Sequence, residues 1–425
     1  MSQLRVTFCI YDKPGSVGGP VSWVQRLIPV LRDSGMEVRC LFLLHYGETG
    51  QALDALRREG FDCRSIVAHD RTEDRVRWIL EQLRENPPDV FVPNLVVAGY
   101  YAARWAKEAG IPTVGILHSD DEYYRALQSE FVSGAPAYRL SSVVCVSKEL
   151  ERQVVDRKPA TTVVRRIPYG VPVPAERARR AEDPLRIAFA GRLAEEQKRI
   201  SEVTRALCRA VREIPGTEAV LYGDGAQRET VERILATEGA GLPVSLAGFV
   251  ASGDIQQRFL EADVIVLLSD YEGLPIALME AMACGCVPVC LNMRSGIPEL
   301  VEDGVTGLLV TDRGEDFVRA VRQLKSDPLL LQRLSRSARD RIASEFSNQV
   351  CGAAWADHLR ELGGHPHPRR RIRVPRRLRL PKFNPALESP EQRAGVPSLP
   401  LRLFRRGRIF GGQIKRILLN RTAND

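Results

Sequence analysis

The chain has 425 residues, of which 44% are apolar and 27% carry a charge. A chain of this length exceeds one ordinary core, so the sequence predicts two globular domains. No apolar run approaches the ~20 residues of a membrane-spanning helix, and the opening MSQLRVTFCIYD lacks the basic and apolar regions of a signal peptide. We therefore expect a cytoplasmic protein.

The net charge of +8 is concentrated toward one end of the chain. Residues 365–425 contain 16 Lys and Arg against 3 Asp and Glu, a local charge of +13, which leaves −5 for residues 1–364. The body is mildly acidic, and a basic tail rich in proline and arginine follows it. The composition of this tail predicts a mostly disordered segment from residue 366 onward, with a short basic amphipathic helix at 401–420.

Nine cysteines are present, and most lie inside apolar, strand-like runs. This placement predicts small buried residues in a reducing compartment. The spacing of Cys284, Cys286 and Cys290 fits no common zinc pattern, so we expect no metal there.

Short β-branched runs alternate with amphipathic helical stretches along most of the chain, which is typical of βαβ units and parallel sheets. The first half contains predicted strands at 5–11, 37–44, 89–94, 112–118 and 142–147. A proline-rich linker is predicted near 165–185, and strands then recur at 186–192, 218–225, 244–249, 263–269 and 287–292. Two α/β halves in tandem place a cleft beyond the carboxyl ends of their strands.

Residues 271–285, YEGLPIALMEAMACG, carry two carboxylates, Glu272 and Glu280, separated by seven residues. A buried strand precedes them, and Pro275 suits the first turn of a predicted amphipathic helix. Free N–H groups from Gly273 onward would favour an anion, and the two acids could each accept hydrogen bonds from a diol. A nucleotide sugar has these groups. Alternatively, Glu272 is a solvated turn residue and Glu280 lies on an exposed helix face.

Two cations follow the strand in FAGRLAEEQKRI. Arg192 closes the strand, and Lys198 lies six residues further on. Cations at the mouth of a cleft could neutralise a diphosphate leaving group without a metal. The alternative is two ordinary surface cations on a loop.

His118 ends the predicted strand PTVGILH, and of the six histidines it alone has this position at a carboxyl end, where α/β sites form. It is a candidate site residue, or else a structural hydrogen-bonding residue. The loop after the first strand, DKPGSVGGPVSWV, lacks the G-x-G-x-x-G spacing of dinucleotide-binding loops.

Five stretches together carry a resemblance to a known family: AGRL…QKR (190–199), LYGDG (221–225), LAGFV (246–250), SDYEGLPIALMEAMACGCVPV (269–289) and SGIPELVEDGVTGLLV (295–310). They resemble the retaining glycosyltransferases of family 4. The resemblance covers residues 1–363 and is denser in the second half.

The resemblance implies the GT-B architecture, in which two Rossmann-like α/β domains face each other across a cleft. It implies an acceptor-side domain at 1–170 with a crossing-back helix at 346–363, a donor-nucleotide domain at 171–345, and a tail at 364–425 outside both. It further implies metal-independent, cofactor-free transfer of a hexose from a UDP- or GDP-sugar to a sugar or lipid-linked acceptor, with retention, in polysaccharide or glycolipid synthesis.

The family's functional positions fall on specific residues here. The resemblance implies catalytic roles for His118, Glu272, Arg192 and Lys198. It implies donor binding by Gly273, Leu274, Pro275, Glu280, Gly18 and Gly19. Asp120 and Asp121 lack the D-x-D spacing of metal-dependent, single-domain glycosyltransferases, so we expect them to contact the acceptor.

Two rival functions stay open. A nucleotide-sugar 2-epimerase would use the same architecture without an acceptor groove. A nucleic-acid-binding protein is suggested by the arginines of the tail, but the acidic body and the scarcity of stacking aromatics oppose it. We expect instead that residues 366–425 bring the protein to an anionic membrane, peripherally on the inner face.

Overall fold

The computed structural model describes residues 3–14, 19–45, 47–67, 71–176, 178, 183–251, 253–293, 295–364, 369–382 and 384–387. One compact unit comprises the chain up to Leu380, and a second begins at Pro381. In the second unit, the described part contains a single turn of 3₁₀-helix at Pro385–Leu387.

The first half of the compact unit is an α/β domain with parallel strands. Its strands are β1 Leu4–Asp12, β2 Met36–Leu44, β3 Asp62–Val67, β4 Val90–Pro93, β5 Val114–Leu117, β6 Ser142–Cys145 and β7 Val163–Arg166. Its helices are α1 Gly19–Asp33, α2 Gln51–Arg58, α3 Thr72–Glu85, α4 Val97–Glu108, α5 Glu122–Phe131 and α6 Lys148–Val155. The strand orders are β3-β2-β1-β4 and β5-β6-β7, and a bridge between Phe91 and Thr113 links the two groups.

The second half is a similar domain around one parallel sheet. Its strands are β8 Leu185–Ala190, β9 Thr217–Tyr222, β10 Val244–Gly248, β11 Val264–Leu267, β12 Val287–Leu291 and β13 Leu308–Val310. Its helices are α7 Ile200–Glu213, α8 Arg228–Thr237, α9 Ile255–Phe259, α10 Ile276–Cys284, α11 Ile297–Leu300, α12 Glu315–Ser326 and α13 Pro328–Glu345. The strand order is β10-β9-β8-β11-β12-β13, which reverses direction between β8 and β11.

All the predicted strands are present, and three strands that the sequence analysis did not predict are added to them. These are β3, β7 and β13, which have the sequences DCRSIV, VVRR and LLV. The first two contain charged residues and lie at sheet edges, where one side of the strand needs no apolar cover. The third, with three residues, is too short to show the alternation of buried and exposed side chains that marks a strand.

The helix predicted as amphipathic at 274–284 is instead buried on every side. All residues from Leu278 to Cys284 are buried in α10, because this helix packs against the sheet and is covered by α13. The apolar composition of α10 therefore reflects burial on all sides, and the prediction of an amphipathic helix was wrong.

The last long helix, α14 Asn348–Gly363, returns to the first domain. It packs on α1, where the rings of Trp23 and Trp355 lie 5.5 Å apart. His358 Nε2 lies 2.8 Å from the hydroxyl of Ser142 on β6. The chain thus ties the two domains together with a helix as well as a linker.

The beginning of the tail, residues 369–380, is placed by the structure. This segment has no helix or strand, but it lies on the first domain, and Ile372 is 3% exposed. The helix predicted at 401–420 falls outside the described residues. Among the described residues, the structure contains no helix that is long and apolar enough to cross a membrane.

Candidate active site

The reversal of strand order between β8 and β11 creates a crevice at the carboxyl edge of the second sheet. In open parallel sheets ligands bind at this kind of position, because the loops of the two adjacent strands diverge there. The loop after β8 contains Arg192 and Lys198, and the loop after β11 contains Glu272 and Gly273. The fold therefore brings together four of the predicted site residues.

Glu272 and Lys198 form an ion pair in this crevice. Lys198 Nζ lies 2.5 Å from Glu272 Oε1, and their side chains are 13% and 7% exposed. Gln197 Nε2 donates to the other carboxylate oxygen of Glu272 at 3.3 Å and to the Tyr271 carbonyl at 3.1 Å. The interpretation of Glu272 as a solvated turn residue was therefore wrong.

Arg192 lies exposed at the end of β8 beside this pair, and its Nη2 is 3.5 Å from Gln197 Oε1. The LYGDG loop after β9 lies against the same strand end. A Cβ at Gly223 would come 1.9 Å from the Gly191 carbonyl oxygen, and one at Gly225 would come 2.6 Å from that of Leu193. Glycine is required at these two positions, because the backbones of the two loops touch.

The start of α10 offers free hydrogen-bond donors. The amides of Gly273 and Leu274 donate to no acceptor among the described residues, while the Gly273 carbonyl accepts from the Gly296 amide at 2.9 Å. Pro275 precedes the first helical residue, Ile276. The amides of Gly273 and Leu274 thus lie just before the positive end of a nine-residue helix, a position that favours anions.

The first domain closes over this helix start. A Cβ at Gly273 would lie 2.0 Å from the carbonyl oxygen of His118, and one at Gly19 would lie 3.2 Å from Cδ1 of Ile276. Gly273 and Gly19 thus allow the carboxyl edges of the two sheets to meet. Gly18, also predicted to bind the donor, lies outside the described residues.

Glu280 is 5% exposed, so the alternative of an exposed helix face was wrong here too. Its Oε1 forms an ion pair with the guanidinium of Arg26, which comes from α1 of the first domain. Burial raises the pKa of the Glu280 carboxyl, and the nearby positive charge of Arg26 opposes that shift. Sequence reasoning did not single out Arg26, because nothing in the α1 pattern distinguishes it from a surface arginine.

His118 lies at the end of β5 and is fully engaged. Its Nδ1 is 2.5 Å from the hydroxyl of Tyr169, and its Nε2 is 2.6 Å from Oδ1 of Asn94. The Tyr169 ring stacks on the imidazole at 5.6 Å, and Trp23 meets it edge-on at 5.6 Å. Burial lowers the pKa of His118 to about 3, so the imidazole is neutral.

The contacts of His118 with Tyr169 and Asn94 constrain which ring nitrogen carries the proton. A neutral imidazole donates from one nitrogen and accepts at the other. If Nε2–H donates to Asn94 Oδ1, then Nδ1 accepts from the Tyr169 hydroxyl. Asn94 and Tyr169 were missed, although Asn94 also ends a strand and could have been found by the argument that singled out His118.

The two aspartates predicted to contact the acceptor have structural partners. Asp121 caps α5 by accepting from the Tyr124 amide at 3.1 Å. Asp120 accepts from Arg125 Nε at 3.0 Å and from Gln153 Nε2 at 3.0 Å. These bonds explain both carboxylates without a ligand, so an acceptor role for them stays a prediction.

A second ion pair between the domains is made by Glu299 of α11, which is 7% exposed. Its carboxylate accepts from the Lys148 amide at the start of α6 and pairs with Arg166 at 2.9 Å. The sequence analysis did not single out Glu299, although its position among apolar residues in SGIPEL could have indicated a buried acid. The nine cysteines are all buried, and the described residues include no group of His, Cys, Asp or Glu arranged to hold a metal.

Known proteins are similar to this chain in sequence and in architecture. Residues 17–173 match the family described as Glycosyltransferase Family 4, and residues 175–341 match Glycosyl transferases group 1. The alpha-D-kanosaminyltransferase of Streptomyces kanamyceticus is 29% identical over 42% of the chain, a match that spans 46% of that relative. The glycogen synthase of Mycobacterium tuberculosis is 26% identical over 68% of the chain and 72% of its own length.

The fold has solved counterparts. The structure of Anabaena Alr3699/HepE in complex with UDP and glucose superimposes with a TM-score of 0.67 at 18% identity, covering 83% of the chain and 98% of that protein. The two sheets meeting across a crevice are thus the GT-B fold. Together with the two family matches, this identifies the chain as a GT-B glycosyltransferase, an enzyme that transfers sugars.

Proposed function

We propose that the protein transfers a hexose from a nucleotide-diphosphate sugar to an acceptor hydroxyl, with retention of the anomeric configuration and without a metal. The observation that supports this most is the start of α10. There two free amides, the Lys198–Glu272 pair and Arg192 converge at the reversal point of the donor-side sheet.

In the proposed reaction the bond between the anomeric carbon and the diphosphate oxygen breaks. Negative charge then grows on the departing diphosphate, which the amides of Gly273 and Leu274 and the cations of Arg192 and Lys198 stabilise. Because these donors are held in place by the fold before reaction, little reorganisation opposes the step. This set of donors can balance a diphosphate without a metal ion, which supports metal-independent transfer.

The acceptor oxygen bonds to the anomeric carbon from the face that the leaving group vacates, and its proton passes to a phosphate oxygen. Both oxygens of Glu272 are held, one by Lys198 and one by Gln197. A carboxylate tied in this way suits orienting the hexose better than attacking it. We assign Glu280 to the ribose, which requires the ribose hydroxyls to share or displace its bond to Arg26.

His118 would support the transferred sugar as a neutral group, since burial lowers its pKa to about 3. Both of its nitrogens are occupied in this structure. A sugar hydroxyl that reaches the ring must therefore replace either Asn94 or Tyr169. Closure of the two domains over the donor would exclude water, which otherwise hydrolyses it.

A thermal-shift screen with UDP- and GDP-sugars tests the donor assignment. A true donor raises the melting temperature by mass action, and Glu280→Ala should lose that gain. Glu81→Ala, a change at an exposed acid of α3, is the matched control and should keep the full gain. If no nucleotide sugar stabilises the wild type, or if Glu280→Ala is stabilised equally, the donor assignment is wrong.

The rival epimerase is separated by analysis of the products. Transfer yields a glycoside whose anomeric proton couples as in the donor, whereas epimerisation releases a sugar altered at its second carbon. Proton NMR of the reaction mixture distinguishes the two, and an inverted glycoside would contradict retention.

A further inference from the structure

The segment Arg369–Leu380 has the sequence RRRIRVPRRLRL, with seven arginines and no acidic residue. All seven arginine side chains are exposed. We call residues 369–380 the arginine stripe. It concentrates more positive charge than any other stretch of comparable length in the chain.

The stripe is held in place on the first domain by its backbone. The Arg370 amide donates to the Ala109 carbonyl at 2.9 Å, just beyond α4. Arg77 of α3 donates to the Arg376 carbonyl at 3.3 Å, and the Tyr138 hydroxyl donates to the Arg379 carbonyl at 3.5 Å. Anchoring through the main chain leaves the guanidinium groups free to point outward.

Apolar residues of the stripe provide the remaining attachment. Ile372 is buried, and Val374, Leu378 and Leu380 are half-buried, while the arginines between them are exposed. The alternation of apolar and charged positions therefore fixes one face on the protein and leaves the other to water.

Most of these charges are not neutralised within the protein. Arg369 pairs with Asp89. For Arg371, Arg373, Arg376 and Arg377, no carboxylate in the described part of the chain forms an ion pair. Several uncompensated cations lie along a segment that spans at most ~40 Å when extended. Such an array attracts a partner that presents many anionic groups over a surface.

We propose that the arginine stripe docks the first domain on a membrane that contains anionic phospholipids. Each basic residue near such a surface adds to the attraction, so several in one array make a stable peripheral contact. The sequence beyond the described residues supports a lipid partner, because LRLFRRGRIF and IKRILL interleave arginine and lysine with large apolar residues. A nucleic acid is disfavoured, because the stripe has no aromatic residue for base stacking.

Co-sedimentation of the full chain with vesicles tests the proposal. Vesicles of phosphatidylcholine alone are compared with vesicles that also contain phosphatidylglycerol. The test variant replaces Arg371, Arg373, Arg376 and Arg377 with glutamine. The control makes the same change in net charge at four other exposed arginines: Arg157, Arg233, Arg319 and Arg336.

We expect the wild type to bind only the anionic vesicles, the test variant to bind them at least tenfold more weakly, and the control to stay within twofold. Melting temperatures near that of the wild type would show that both variants fold. Equal binding by the test variant and the wild type would overturn the proposal. Failure of the wild type to sediment with anionic vesicles would also overturn it. Tight binding of such a protein to an RNA oligonucleotide would favour a nucleic acid as the partner instead. These outcomes do not depend on the donor assignment, which the thermal-shift screen tests separately.

Discussion

The two domains have the same kind of sheet but opposite site chemistry. At the edge of the second sheet the side chains are charged, with Lys198 and Glu272 paired beside Arg192. At the edge of the first sheet the site is neutral and aromatic, with His118 enclosed by Asn94, Tyr169 and Trp23. Two arginines of the first domain reach acids of the second, Arg26 toward Glu280 and Arg166 toward Glu299.

This difference suggests a division of work. Breaking the bond to a diphosphate develops negative charge, which cations and amides stabilise, so we place that step at the second domain. A dry, neutral wall on the other side strengthens those charge interactions because it keeps water away. The predictions below test this division, from the largest expected effect to the smallest.

Lys198→Ala should have the largest effect. It removes a cation from the proposed leaving-group site and leaves Glu272 without its ion-pair partner. Loss of one positioned donor of this kind costs about 10²–10³-fold in kcat. Steady-state kinetics with the donor that the thermal-shift screen identifies measure this, and Lys158→Ala is the control at a site outside the crevice. A fall of less than tenfold would mean that charge at this position does not assist departure.

Gly273→Ala should prevent the close contact between the carboxyl edges of the two sheets. The added methyl would lie 2.0 Å from the His118 carbonyl oxygen, so the domains must move apart. We expect at least a tenfold loss of kcat/KM and a larger radius of gyration in solution scattering. Gly253→Ala is the control, because its Cβ would meet nothing within 4 Å. An unchanged radius together with unchanged activity would show that the contact of the two sheet edges is not needed.

Tyr169→Phe should affect stability more than donor binding. It leaves the buried Nδ1 of His118 without its partner, which costs roughly 1–3 kcal/mol of unfolding free energy. Denaturant unfolding measures this cost, and donor affinity should change less than twofold. A large loss of donor affinity with unchanged stability would show that Tyr169 contributes to donor binding rather than to the stability of the His118 cluster.

His118 should produce a modest pH dependence of stability. Its pKa is about 3 when folded, against the ordinary value of 6.5, so the unfolded chain binds a proton that the folded protein does not. The contribution is complete above pH 6.5 and is lost as the pH falls toward 3, by about 1.4 kcal/mol per pH unit. Between pH 6 and 4.5, the unfolding free energy of wild type should fall more steeply than that of His118→Gln. Parallel slopes would contradict a neutral buried imidazole.

The same contrast explains what the sequence could predict. The residues proposed to bind the donor lie in two short loops that follow strands. Strand positions together with the family resemblance therefore predicted that Arg192, Lys198, Glu272 and Gly273 line one cleft. The two α/β halves with parallel strands could also be predicted, because strands and helices alternate in the local sequence pattern. Edge strands with charged residues, such as β3 and β7, could not be found, because they lack the continuous apolar run that marks a buried strand.

The cluster around His118 in the first domain was harder to predict from the sequence. Asn94, His118, Tyr169 and Trp23 come from four separate elements, and only tertiary packing makes them neighbours. Arg26 is likewise one of many arginines until α1 meets α10. Burial also decided how both glutamates are to be interpreted, since a spacing with seven residues between two acids does not tell a buried acid from an exposed one.

A crystal structure of the protein with a bound nucleotide-diphosphate sugar tests the central claim most directly. We predict that the diphosphate oxygens lie within hydrogen-bond distance of the Gly273 and Leu274 amides and close to Lys198 and Arg192, with the ribose at Glu280. A nucleotide bound with its phosphates away from the start of α10 would contradict it.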